Sequence, residues 1–206
     1  MKEFSSAYIT SLLAPYYSVE DESLIERIRV YISVLLNWNE KISLTKITDP
    51  GEIVRFHFGE SLFAASSLKI RDGRLADVGS GAGFPGLPLA MALPGVRATL
   101  IESNAKKAAF LSEASRQLSN VTVLRSRMEE MKGPEAFDYI CARAVGTHAS
   151  LIRWSQEKLT SKGRLVLFLG EEDAQAVSEI SRWNWTPRIK IPNSSRRFIL
   201  SGSPVR

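Results

Sequence analysis

The stretch Leu75-Ala76-Asp77-Val78-Gly79-Ser80-Gly81-Ala82-Gly83-Phe84-Pro85-Gly86 constrains this chain more than any other. A short apolar run leads straight into three glycines at alternate positions. Glycines so spaced let a backbone turn sharply and approach a ligand closely. Leu75 to Val78 is therefore expected as a strand. Gly86 to Leu93 is expected as a helix whose free N–H groups point back at the loop. From Gly73 onward, short apolar runs alternate with helical patterns. Ala98 to Ile101, Val121 to Leu124, Phe137 to Cys141 and Arg164 to Leu169 are further strands. Asn104 to Leu118, His148 to Leu159 and Glu171 to Arg182 are helices. This α/β alternation implies a mostly parallel sheet with helices on both faces. Arg188 to Ile191 and Arg197 to Ser201 fit an antiparallel hairpin at the C-terminal edge of that sheet.

The first 70 residues follow a different rhythm. Leu24, Ile25, Ile28, Tyr31, Ile32, Leu35 and Leu36 recur at helical spacing and form one apolar face. Asp49-Pro50-Gly51-Glu52 is a helix start, with Asp49 as N-cap and Pro50 at the first helical position. Ile53, Phe56, His57, Glu60 and Phe63 follow on that helix. The expected organisation is a helical N-terminal cap over residues 1–70 and a ligand-binding α/β domain over residues 71–206.

In open α/β sheets, ligands bind beyond the carboxyl ends of the strands, where the glycine loop lies. Gly81 to Gly86 also matches the dinucleotide fingerprint G-x-G-x-x-G, which by itself is weak. Asp77 and Glu102 decide between ligands. A carboxylate at Asp77, just before the glycines, would repel a pyrophosphate but suits a cationic ligand. Glu102 closes the second strand, where an acid can accept from ribose hydroxyls. Asp77, Gly79, Gly81, Gly83 and Glu102 together form the pattern of class I (Rossmann-like) methyltransferases. The implied cofactor is S-adenosyl-L-methionine, and a nicotinamide oxidoreductase is disfavoured by Asp77.

Composition narrows the setting. No run approaches the roughly 18 apolar residues of a membrane helix, and Met1-Lys2-Glu3-Phe4 does not begin a signal peptide. The single cysteine, Cys141, excludes an internal disulfide and argues against structural zinc, so no metal is expected and a cytoplasmic setting fits. The net charge of +5 is uneven. No acid occurs from Ile180 to Arg206, where Arg182, Arg188, Lys190, Arg196, Arg197 and Arg206 all lie. A basic face of this kind fits either a nucleic-acid partner or an ordinary solvated surface.

The glycine loop, ending in Phe84-Pro85-Gly86, closely resembles that of the bacterial RsmG family, also called glucose-inhibited division protein B. The resemblance runs from about Leu36 to about Gly170. It takes in Asn37-Trp38-Asn39-Glu40-Lys41-Ile42-Ser43-Leu44-Thr45, Asp49-Pro50, and His57-Phe58 ahead of Ser61-Leu62. It continues through Glu102-Ser103-Asn104-Ala105-Lys106-Lys107, Phe110-Leu111, Arg127-Met128-Glu129-Glu130 and Phe137 to Ala144. The resemblance implies transfer of a methyl group to N7 of a guanine in small-subunit (16S) ribosomal RNA, as free RNA or in a pre-ribosomal particle. It implies that Gly79 and Phe84 line the cofactor pocket and that Glu102 meets the ribose. Met128 and Glu129 would flank the adenine, and Arg143 would stand beside the cofactor and the incoming guanine as the catalytic residue. Three positions depart from the family pattern. Ser43 stands where Asn is usual and Glu60 where Asp is usual. Leu169 stands where a lysine is usual, and Lys158, Lys162 or Arg164 are the candidates to replace it.

Guanine N7 carries an in-plane lone pair, so such a reaction needs positioning and electrostatics, not a base. Accordingly, Cys141-Ala142-Arg143-Ala144 stands where amino methylases usually carry Asp-Pro-Pro-Tyr. Arg143 is placed to reach guanine O6 or the cofactor carboxylate. Cys141 is expected as a buried core residue, not a nucleophile. His57 fits either a substrate contact or helix packing. Trp38 fits either an RNA-stacking surface or burial among the cap helices. Lys106 and Lys107 open a helix, where the dipole disfavours cations, so phosphate contact competes with simple solvation. A monomer is the default state. A small-molecule methyltransferase on the same fold is the alternative function.

Overall fold

The computed structural model describes residues 4–133, 136–143 and 148–206. One eight-stranded sheet organises it, in the order β3-β2-β1-β4-β5-β8-β6, with β7 also paired to β8. The strands are β1 (Asp72–Val78), β2 (Gly95–Ile101), β3 (Val121–Leu124), β4 (Phe137–Arg143), β5 (Leu159–Gly170), β6 (Trp183–Trp185), β7 (Ile189–Lys190) and β8 (Arg197–Pro204). Strands β1 to β5 pair in parallel, and β8 runs antiparallel to β5, β6 and β7. The expected β7–β8 hairpin exists, with β8 as its inner strand. The chain runs outward from β1 to β3, then returns to place β4 on the other side of β1. That reversal opens a crevice at the carboxyl ends of β1 and β4.

Strand side chains alternate between the two faces. Leu75, Cys141, Val166 and Ile199 join one core, and Ala76, Ala142, Leu167 and Leu200 the other. The first core is covered by α1 (Ser6–Leu13), α2 (Ser23–Asn39), α3 (Pro50–Ile53), α4 (Glu60–Leu68), α5 (Gly86–Ala92) and α6 (Ala105–Ala114). The second is covered by α7 (His148–Lys158) and α8 (Glu171–Ser178). The core runs unbroken across residue 70. The anticipated apolar face of α2 is seated in it, with Ile28 and Leu35 fully buried. Tyr31 sits at the junction, edge-on to Phe58, Phe84 and Phe110. Such pairs add about 0.5–1.5 kcal/mol each beyond area burial.

Three expectations need correction. Residues 40–49 are an irregular loop, not helix. The helix from Glu171 stops at Ser178, four residues short of Arg182; Arg182 has φ +65°, and Trp183 begins the unforeseen β6, where it stacks on Trp185. The helix after Asn104 ends at Ala114, not Leu118. The helix from Pro50 is present, with Asp49 Oδ1 accepting from the Glu52 amide at 2.8 Å. Between α3 and α4 it passes through a π-helical turn, Val54–Gly59. Such turns insert a residue into a helix and redirect its side chains.

Candidate functional site

A cavity of about 240 Å³ opens at the crevice between β1 and β4. Leu44, Thr45, His57, Gly79, Ser80, Gly81, Ala82, Phe84, Lys107 and Arg143 line it. Five separate segments of chain therefore meet there.

The glycine loop forms its floor. Gly79, Gly81 and Gly83 have φ of +69°, +56° and +89°, so the alternate glycines meet a real backbone requirement. At Gly83 an added Cβ would also lie 2.4 Å from Leu87. At Gly81 it would meet only the Gly79 carbonyl, at 3.7 Å. Asp77 lies behind this loop, fully buried. Its Oδ2 accepts from the Gly86 amide at 3.0 Å, and its Oδ1 has no partner. Burial pushes its carboxyl up to about 7, against the opposing pull of the Gly86 amide and Ser80. Phe84 is buried and faces the pocket.

Glu102, at the end of β2, binds two loops together. One oxygen accepts from the Gly81 amide at 2.9 Å and the other from the Asn104 amide at 2.7 Å. A carboxylate offers about four acceptor sites, so two remain for hydroxyl donors. Asn104 caps α6 by accepting from the Lys106 and Lys107 amides. Of those two lysines, Lys107 reaches the pocket wall. Met128 and Glu129 sit on a 3-10 turn after β3. Met128 is buried in the second core with Val78 and Ile101, and Glu129 is exposed. Neither lines the cavity.

The cap supplies the opposite wall. Asn39 shapes the 40–49 loop: its Oδ1 accepts from the Leu44 and Thr45 amides, and its Nδ2 donates to the Thr45 carbonyl. Thr45 Oγ1 then lies 2.9 Å from His57 Nε2. The His57 ring stacks on Phe84, with centroids 4.4 Å apart and planes 26° apart. Burial, followed by the Arg143 charge, pulls its imidazole down to about 3. His57 is thus a neutral pocket residue, both packed and facing the site. Trp38, partly exposed, bridges α2 to α6, donating to Glu113 and meeting Phe110 edge-on. Cys141 is fully buried, as expected.

Arg143 ends β4 at the pocket rim. Its Nη2 lies 3.4 Å from Glu60 Oε2, while Nη1 is buried without an acceptor. Glu60 is 1% exposed and also receives Arg197 at 3.0 and 3.1 Å. Burial pushes the Glu60 carboxyl up, and the two arginines, Arg143 foremost, push it back down. Sequence reasoning placed Glu60 on the right helix without assigning it a role, and missed the lining by Leu44 and Thr45. A carboxylate among the apolar residues of that helix was the available signal, because a buried charge demands a partner. Ala144, which closes the motif after Arg143, lies outside the described residues.

The lysine substitutes fall elsewhere. Leu169 is 6% exposed in the second core. Lys158 donates to the Gly133 carbonyl, and Lys162 and Arg164 stand six or more residues before Gly170, toward the other end of β5. None of the three lines the pocket, and none replaces a lysine at its rim. Among the described residues, no helix is long and apolar enough to cross a membrane, and no group of three His, Cys, Asp or Glu could hold a metal.

A family model described as GidB, rRNA small subunit methyltransferase G, matches residues 24–189. Ribosomal RNA small subunit methyltransferase G of Stenotrophomonas maltophilia (strain K279a) is 39% identical over 176 residues, covering 84% of this chain and 82% of that protein. The protein of the same name from Xylella fastidiosa (strain M23) is 40% identical over 152 residues, covering 73% and 71%. A SAM-dependent methyltransferase from Aquifex aeolicus superposes with a TM-score of 0.62 at 15% identity, covering 75% of this chain and 93% of that one. That likeness establishes the class I, Rossmann-like methyltransferase fold.

Proposed function

The chain belongs to the small-subunit ribosomal RNA methyltransferase G family, and from that premise we propose that it methylates N7 of a guanine in 16S ribosomal RNA, using S-adenosyl-L-methionine. When bound, that cofactor supplies a methyl group on a sulfonium, an already charged leaving group.

The residues present fit such a cofactor. Asp77 Oδ1 is a buried acceptor without a donor, and Arg143 Nη1 a buried donor without an acceptor. An amino-acid terminus carries an ammonium and a carboxylate, the complements of those two atoms. Glu102 has acceptor sites for ribose hydroxyls. Gly79, Gly81, Gly83 and Phe84 form the cradle, and Gly81 leaves space where a side chain would intrude. Met128 and Glu129, on the turn after β3, are proposed to flank the adenine.

For the base, the single observation that carries the proposal is that one cavity is lined both by Arg143, whose buried Nη1 is unpaired, and by the His57 ring stacked on Phe84. Guanine N7 needs no proton removed, and burial, followed by the Arg143 charge, holds the His57 imidazole well below its usual range. Arg143 is proposed to donate to guanine O6 or to the cofactor carboxylate and so to orient the reactants. The His57–Phe84 stack gives the site one aromatic wall. The partner is then small-subunit ribosomal RNA, free or in a pre-ribosomal particle.

The test is methyl transfer from tritiated S-adenosylmethionine to small subunits from cells lacking this protein. Label in N7-methylguanosine of 16S RNA supports the proposal. Cofactor binding without labelled RNA would overturn it and direct attention to small-molecule acceptors.

A further inference from the structure

We propose that Glu60 is the positioning residue for Arg143, and that Arg197 of the C-terminal hairpin holds Glu60 in that role. The proposal rests on the assignment of Arg143 to the reaction. Arg197 lies beyond the residues 24–189 that the family model covers, so its part in the site comes from this structure alone.

The three residues come from distant parts of the chain. Glu60 opens α4 directly after the π-turn, Arg143 ends β4, and Arg197 begins β8. β8 runs antiparallel to β5, pairing Arg197 with Gly170, while Arg143 pairs with Phe168. Both arginines therefore reach the same end of the sheet, where α4 presents Glu60.

The contacts are unequal. Arg197 meets both carboxylate oxygens as a fork, at 3.0 and 3.1 Å. Forked pairing fixes orientation as well as charge. The Arg197 guanidinium also lies 5.4 Å from the Phe56 ring centroid, which restrains it from the other side. Glu60 is thereby fixed before Arg143 is considered. Among the described residues, Arg143 has a single charged contact, through Nη2, and its Nη1 has no protein acceptor. An arginine side chain has much rotamer freedom to lose, so its direction must be imposed. A carboxylate already locked by a second arginine imposes it. One carboxylate between two guanidiniums leaves surplus positive charge, so simple neutralisation does not explain the arrangement.

A double-mutant cycle separates positioning from a purely structural ion cluster. Methyl transfer to small subunits and thermal melting would be measured for Glu60→Gln, Arg143→Ala and the double variant. Glu60→Gln is expected to lower kcat about tenfold with KM within about threefold, and to change the rate by less than about twofold in the Arg143→Ala background. Arg197→Ala should reproduce the Glu60→Gln loss, and Arg197→Lys, which keeps charge but not the fork, should restore only part of it. Multiplying effects in the double variant, or a fall in melting temperature without a fall in kcat, overturns the proposal. If Glu60→Gln does not fold, Arg197→Ala, which leaves the Glu60 carboxylate in place but unlocked, makes the same test against Arg143→Ala.

A second readout needs no activity. The Arg143 side-chain Nε–H resonance, identified by its loss in Arg143→Ala, should be sharp and slow to exchange in the wild type. It should broaden in Glu60→Gln and in Arg197→Ala, and an unchanged resonance overturns the proposal. Should the wild type transfer no methyl group, the assigned reaction fails, while this resonance still decides the positioning.

Discussion

Asp77 and Gly86 are joined by a 3.0 Å hydrogen bond from the Gly86 amide to Asp77 Oδ2, across the whole of the glycine loop. The carboxylate that marks the ligand pattern in the sequence thus also closes the loop on itself. A Cβ at position 86 would lie 2.8 Å from that oxygen, so Gly86 is required for the contact.

That placement has a pH consequence. The Asp77 carboxyl is raised from 3.8 to about 7 by burial. Between those values the folded chain holds a proton that the unfolded chain has released. Asp77 therefore contributes stability at low pH that is lost as pH rises from about 4 to about 7. Asp77→Asn removes this dependence and keeps a side-chain acceptor for Gly86. Its stability relative to the wild type should rise by up to about 1.4 kcal/mol per pH unit within that window. Urea unfolding of both proteins at pH 5 and pH 8 checks it, since the opposite pH dependence of His57 is common to both and cancels. A gap independent of pH would contradict the assignment.

Gly81→Val is expected to abolish binding of S-adenosylhomocysteine, lowering affinity by at least about 100-fold in calorimetry. The added side chain would stand in the pocket, where Gly81 now has only the Gly79 carbonyl near it. Its φ of +56° costs a further 1–3 kcal/mol or so in stability. Circular dichroism should still report a folded chain, because no core atom is displaced.

Tyr31→Phe should loosen the loop from the other side. The Tyr31 hydroxyl donates to the Ala82 carbonyl in the buried core. Its removal strands that acceptor, at a cost of about 1–3 kcal/mol. A lower melting temperature is expected together with severalfold weaker binding of S-adenosylhomocysteine. Unchanged affinity would mean that the cap does not brace the loop.

Binding to small-subunit RNA should weaken more than about tenfold between 50 and 200 mM salt. The exposed Lys190 and Arg196 and the partly exposed Lys107 supply free cations for phosphate. Arg197 is engaged by Glu60 and Arg206 by the Leu159 carbonyl, so they contribute less than the sequence suggests. Salt-independent binding would favour a small uncharged acceptor over RNA.

The residues legible in the sequence were those whose constraint is local. Alternate glycines at 79, 81 and 83 answer to the φ of their own backbone, and a strand running into such a loop and then a helix is a pattern within one short stretch. The apolar face of α2, the N-cap at Asp49 and the hairpin partners of β7 and β8 follow from periodicity and capping in the same way. Residues 40–49 failed as helix because Asn39 hydrogen-bonds three backbone groups of the following loop. A side chain that satisfies the backbone locally competes with the helix that composition favours.

By itself, then, the sequence determined the strand–loop–helix cradle, the order of elements around it and the family to which the chain belongs. Only the tertiary structure decided which charges meet. Glu60 and Arg197 are 137 positions apart, and no periodicity relates them. Their pairing depends on an antiparallel last strand and on a π-turn that rotates the helix just before Glu60. A buried charge must be matched by whatever the fold brings within a few ångströms, so its partner is set by packing in space rather than by spacing along the chain.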